Sequence, residues 1–214
     1  MMPVPALQPV PVRRPVIHSV NGGQVVYGDP AIEIVIDGRQ LRGASTLVQF
    51  DADEPQPVTA TSASRVVVPT SVAGGLAAGS HIVRIIHEVP LGGLQLPHRV
   101  VESNAMGFSV RPSLVVTHAA GDTVIDVDFV PAVGDGQQLS LLLNEILDPP
   151  PLDRDLRFAE LEPVPTQQPG PWTRRSFDVG TVPAGVYLLR ARIDGAESRL
   201  TAGDGGPAHQ VTLP

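Results

Sequence analysis

Apolar residues recur at every second position through most of this chain, and Gly, Pro, Asn and Asp break the runs into short pieces. In "AIEIVIDG" the side chains of Ile32, Ile34 and Ile36 fall on one face and those of Glu33 and Asp37 on the other, the period-2 pattern of a half-buried strand. The same reading predicts a first strand at Val16–Val20, closed by a turn at Asn21-Gly22-Gly23. It predicts further strands in "TLVQF", "RVVVP", "HIVRIIHE" and "AMGFSV". Six or seven strands in roughly 100 residues suit an immunoglobulin-like sandwich.

From Ser113 the series starts again. "SLVVTH" is followed by a turn at Gly121-Asp122, then by "VIDVDF" with Ile125, Val127 and Phe129 on one face. "QLSLLLNEI" sets Leu139, Leu141 and Leu143 together, and "VYLLRARID" sets Tyr187, Leu189, Ala191 and Ile193 inward. Ala78, Gly79 and Arg84 match Ala184, Gly185 and Arg190 at a constant spacing of 106 residues, and each set precedes a Glu-Ser pair. The first copy carries an extra loop, "PLGGLQLPH", before its pair. The repeat predicts an all-β chain of two tandem immunoglobulin-like β-sandwich domains, 16–112 and 113–214, divided near Pro112. Gly79 and Gly185 are expected at positive φ or where a Cβ has no room. Pro3, Pro5, Pro9, Pro11 and Pro15 make residues 1–15 an extended, polyproline-type arm. Residues 147–172 hold seven prolines and read as a long loop, with a short edge strand or one helical turn in "LDRDLRFAELE" and Trp172 anchoring the return to the core.

Composition narrows the chemistry. The net charge is −7, the fifteen basic residues are all arginine and they are scattered. Nucleic acid, which requires a concentrated basic face, is not an expected partner. Without lysine there is no Schiff-base amine and no phosphate-loop lysine; without cysteine there is no disulfide, thiolate metal site or cysteine nucleophile. No apolar run reaches the length of a membrane span, so membrane insertion is not expected, and the absence of a secretory pattern at the start points to the cytoplasm.

Each candidate site has a plainer reading. "GDGG" at 203–206 is a turn, and His87-Glu88 lacks the second histidine of a zinc-protease pair. His18, His81, His87, His98, His118 and His209 show no ligand spacing. Asp51, Asp53 and Glu54 cluster at a strand end but offer few of the six to eight oxygens that calcium takes. Asp126 and Asp128 share a strand face opposite core residues, as solvent-facing carboxylates do. No nucleophile, base and oxyanion donor come together, so no catalytic, cofactor or metal residue is assigned and no enzyme is expected.

"VRRPVIHSV", "RVVESNAMGFSVRPSL", "LSLLLNE" and "VPAGVYLLRARIDGAESRL" together resemble the C-terminal immunoglobulin-like region of the cap, or tail-terminator, family of phage-tail-like contractile injection systems. The resemblance covers about residues 11–200. It implies a structural or adaptor protein accessory to the tail cap, with tail cap, sheath or tube subunits as partners and possible release as part of a particle. The matching stretches are framework strands and turns, so no functional residue carries over. The reading from a different class is a free-standing tandem module that binds carbohydrate or a cell-surface ligand, against which the low aromatic content, 4%, weighs.

Overall fold

The computed structural model describes residues 13–23, 25–28, 33–73, 75–90, 97–119, 121–147, 155–199 and 209–214. The first series comprises β1 (Val16–Val20), β2 (Val25–Tyr27), β3 (Ile34–Arg39), β4 (Ser45–Phe50), β5 (Gln56–Pro57), β6 (Ala60–Ser62) and β7 (Arg65–Val68). A helical turn, α1 (Thr70–Ala73), leads to β8 (Gly79–Pro90), β9 (Pro97–Glu102) and β10 (Met106–Arg111). The second series is β11 (Ser113–Thr117), β12 (Val124–Val133), β13 (Leu139–Glu145), β14 (Phe158–Leu161), β15 (Trp172–Asp178), β16 (Gly185–Ile193), β17 (Ala196–Glu197) and β18 (Gln210–Leu213).

These strands form two immunoglobulin-like β-sandwiches. The first has a sheet of order β1-β3-β7-β6 and a sheet of order β2-β10-β8-β4-β5, with β9 added on β8. The second has β11-β12-β15 and β14-β13-β16-β17, with β18 added on β16. The inward positions follow the alternation in the sequence. Ile34 and Ile36 are fully buried, as are Ile125 and Val127 on β12, Leu141 and Leu143 on β13, and Tyr187, Leu189, Ala191 and Ile193 on β16. Ile32, the proline arm 1–12, residues 91–96 of the extra loop, 148–154 of the long loop and the 203–206 turn lie outside the described residues.

The repeat has a physical meaning at both ends of its central strand. At the start, the Tyr187 hydroxyl donates to the Pro183 carbonyl, 2.9 Å away, closing a corner four residues wide. Such a tyrosine corner is a hallmark of immunoglobulin-like sandwiches. At the same place in the first copy stands His81, whose Nε2 lies 2.8 Å from the Ala77 carbonyl. A carbonyl can only accept, so this nitrogen carries the proton. At the far end, Ser103 N–H donates to Ile85 O (2.8 Å) while Ser103 Oγ accepts from Ile85 N–H (2.9 Å). Ser198 does the same with Ala191, at 2.9 and 3.0 Å. One serine thus satisfies both backbone groups of a buried strand residue, which explains the repeated serine.

The repeated glycines differ. Gly79 lies at φ +138°, where a side chain is strained. Gly185 is instead held by crowding: a Cβ there would come within 3.2 Å of Tyr187 Cε2 and 3.3 Å of Glu145 Oε1.

By compactness the chain divides into two units, and the division does not fall at one position. The first comprises 1–20, 35–68 and 82–106; the second comprises 21–34, 69–81 and 107–214. Pro112 marks where the strand series restarts, but segments before it belong to the second unit. There, β2 pairs in parallel with β10, and Gly28 N–H donates to Arg111 O at 2.8 Å. The Ser113 hydroxyl returns a 2.6 Å hydrogen bond to Gly28 O. Gly28 sits so close to β12 that a Cβ would be 1.9 Å from Val130 O, and Ala78 belongs to the core cluster around Phe129 and Tyr187.

Candidate functional site

The carboxylates singled out in the sequence have structural duties. Asp128 forms a two-pronged pair with Arg174, both contacts at 2.7 Å, and Asp126 accepts from the Ser176 hydroxyl at 2.6 Å. The Arg174 hydrogen bond lowers the Asp128 carboxyl below its usual range, so it is a stable anion and a poor proton donor. Asp51, at φ +48°, accepts the Ile82 N–H at 2.8 Å and finishes a strand end. His87 is buried with Nε2 3.1 Å from Leu41 O. Among the described residues no group of three or more His, Asp or Glu is placed to hold a metal ion.

Trp172 anchors the long loop, as its position suggests. Its Nε1–H donates to Gln168 O at 3.0 Å, Arg175 stacks 4.6 Å from the ring centre, and the ring packs against the core cluster. Within the loop, "FAEL" forms β14, an edge strand, rather than a helical turn. After β14 the chain crosses to the other sheet: Pro163 bridges Phe177, and Val164 N–H donates to Ser176 O at 2.8 Å.

The geometry of β14 leaves one of its two edges unpaired among the described strands. β13 spends its even residues on β16 and its odd residues on β14, as shown by Ile146 N–H to Val186 O (2.7 Å) and Glu145 N–H to Arg157 O (2.9 Å). In an antiparallel pair hydrogen-bonded residues alternate with non-bonded ones. Leu143↔Ala159 and Leu141↔Leu161 are therefore bonded pairs, and Phe158 and Glu160 turn their N–H and C=O groups away from β13. Among the described strands β14 pairs with β13 alone. Of the seven large apolar side chains exposed among the described residues, Phe158 (58% exposed) lies on this strand, Leu156 two residues before it and Leu147 two residues past the end of β13.

Beside the edge lies an open cleft of about 560 Å³ lined by Gln138, Leu139, Ser140, Glu160, Glu162, Pro163, Arg192, Asp194 and Gly195. Glu160 pairs with Arg192, and hydrogen bonds from Arg192 and then Ser140 keep its carboxyl below the usual range. Asp194 accepts from Gln138 N–H at 2.9 Å and from the Gln137 amide at 2.7 Å. The cleft is thus lined by polar groups of which Glu160, Arg192 and Asp194 are already paired. The sequence did not single out these residues. Their signal was present in the outward positions of "LSLLLNE" and "RARIDG", but outward polar residues on a strand look alike whether they bind or only face water.

A family model described as a domain of unknown function, DUF8756, matches residues 107–212, beginning where the contiguous part of the second unit begins. The chain is similar to the FN1–FN3 domains of chicken CNTN1 at 12% identity and a TM-score of 0.26, over 94% of this chain and 65% of that structure. It thus spans about two-thirds of that structure's length. It is similar to the human OSCAR ligand-binding domain at 14% identity and a TM-score of 0.29, over 87% of this chain and 96% of that one. No curated protein sequence matches the chain.

Proposed function

We propose that this chain is a non-enzymatic, partner-binding module of two immunoglobulin-like sandwiches that recognises another protein through the β14 edge. The observation that carries the reading is the coincidence of outward backbone groups at Phe158 and Glu160 with exposed Leu147, Leu156 and Phe158. A sheet edge binds an extended segment through main-chain hydrogen bonds, and flanking apolar side chains add affinity. The resemblance to the contractile-tail region makes tail cap, sheath or tube subunits the first partners to test.

The polar cleft favours a second reading, a carbohydrate-type ligand held by Gln138, Ser140 and Arg192. Affinity capture from source cells, with partners identified by mass spectrometry, separates the two. Phe158→Asp abolishes capture if the edge binds protein. Capture that survives Phe158→Asp, together with glycan-array binding lost in Arg192→Ala, overturns the protein reading in favour of carbohydrate.

A further inference from the structure

We propose that the strand accepted by β14 is the N-terminal arm of a second copy of this chain; the inference rests on the reading of β14 as a binding edge. The arm's prolines, Pro3, Pro5, Pro9 and Pro11, all occupy odd positions. In an extended strand the N–H groups of successive residues point to opposite edges, and proline has none to offer. Added to a sheet as a strand, the arm would therefore lack donors at four positions along one edge. The other keeps the N–H and C=O of Met2, Val4, Ala6, Gln8, Val10 and Val12. A segment of this kind joins a sheet on one side and ends it there, because its outer side cannot pair again.

The arm and the edge fit each other. Phe158 and Glu160 present two N–H and two C=O groups to the arm's even residues. As a strand the arm would carry Val4, Ala6 and Val10 on one face and Leu7 with the prolines on the other, both mainly apolar, and Phe158 on β14 is itself an exposed apolar side chain. Residues 1–12 reach about 40 Å when extended at about 3.3 Å per residue, well beyond the span of a four-residue strand. The root is fixed, since Pro15 is buried and the Arg14 guanidinium donates to Glu102 O (2.8 Å) and Ser103 O (3.3 Å). Among the described residues of one chain Phe158 remains mostly exposed and β14 pairs with β13 alone, which leaves this edge for an added strand. Arm and edge are different surfaces, so the exchange is head-to-tail and builds a reciprocal dimer, a ring or an open chain according to the rotation between copies.

The test measures self-association by light scattering over a wide concentration range, with the full chain and with a chain lacking residues 1–12. The full chain is expected to associate in a concentration-dependent way and the truncated chain to stay monomeric. A synthetic peptide of residues 1–14 should bind the truncated chain. Val4→Pro with Val10→Pro in the peptide, which removes donors on the pairing side, should weaken binding by roughly tenfold or more. Leu7→Pro, on the blocked side, should leave it nearly unchanged. Phe158→Pro in the protein removes an outward donor and no β13–β14 bond, so it should abolish peptide binding while the melting transition persists. Equal binding by the two peptide variants overturns the proposal, as does a full chain that stays monomeric throughout. If arm binding fails while Phe158→Asp still abolishes capture of another protein, this inference falls and the partner-binding reading stands.

Discussion

Ser103 and Ser198 each stand in for a whole strand residue, and their value lies in what would be left without them. Ile85 and Ala191 are fully buried, so their N–H groups have no water to turn to. Ser198→Ala should therefore cost about 1–3 kcal/mol, the penalty of an unsatisfied buried donor, and Ser103→Ala about the same. Urea denaturation of the two variants checks both. Gly185→Val should cost about 1–3 kcal/mol by pressing on the Tyr187 ring and the Glu145 carboxylate, again read from the denaturation midpoint. His209 gives a pH signature. Burial lowers its pKa from 6.5, so the unfolded chain binds the proton more readily than the folded one. Its contribution is present above pH 6.5 and declines as the pH falls below that value. Stability measured from pH 8 to 5 should fall on the acid side, and His209→Gln should flatten the curve in that window.

At the scale of elements, alternation was a good guide wherever one face was buried. Val16–Val20 forms the strand its pattern predicts, and the inward residues of β12, β13 and β16 are those of the even or odd set that the sequence marks. Three features were hidden. The three-residue β2 lies too close to Gly and Pro to show a period, and it exists through its parallel pairing with β10. "FAELE" admits a strand or a helical turn by propensity, and its pairing to Leu141–Asn144 decides for the strand. The corner was hidden in the first copy because histidine replaces tyrosine; only the shared spacing to Ala77 and Pro183 reveals that the two side chains do the same work. For the candidate site, the sequence supplied the long loop and its tryptophan. The edge and cleft needed the register, since which backbone groups face outward depends on a hydrogen-bond phase that no residue type encodes.

For the molecule as a whole, the two copies are the same plan at two lengths. Strand β8 runs from its corner to Ser103, and β16 from its corner to Ser198, but the spacing between copies drops from 106 residues at Gly79 and Gly185 to 95 at the serines. The pairs Ile86↔Glu102 and His87↔Val101 correspond to Arg192↔Glu197 and Ile193↔Ala196. Beyond them, the second copy turns back through Asp194-Gly195, at φ +46° and +82°, the two left-handed residues of a tight hairpin turn. The first copy spends residues 88–100 on the same reversal. Corner and serine hold the strand at two points outside the hairpin tip, whose described start keeps one tie to β4, the pair Ser45↔Glu88. Replacing residues 88–100 with Asp-Gly should leave the first sandwich folded, with a melting temperature within a few degrees of the parent, since loop length alone changes closure entropy by only about 0.6 kcal/mol per doubling. The tip is, in effect, a cassette: a position where the chain can be lengthened, shortened or fitted with a foreign epitope, and where two copies of one domain diverge without either losing its fold.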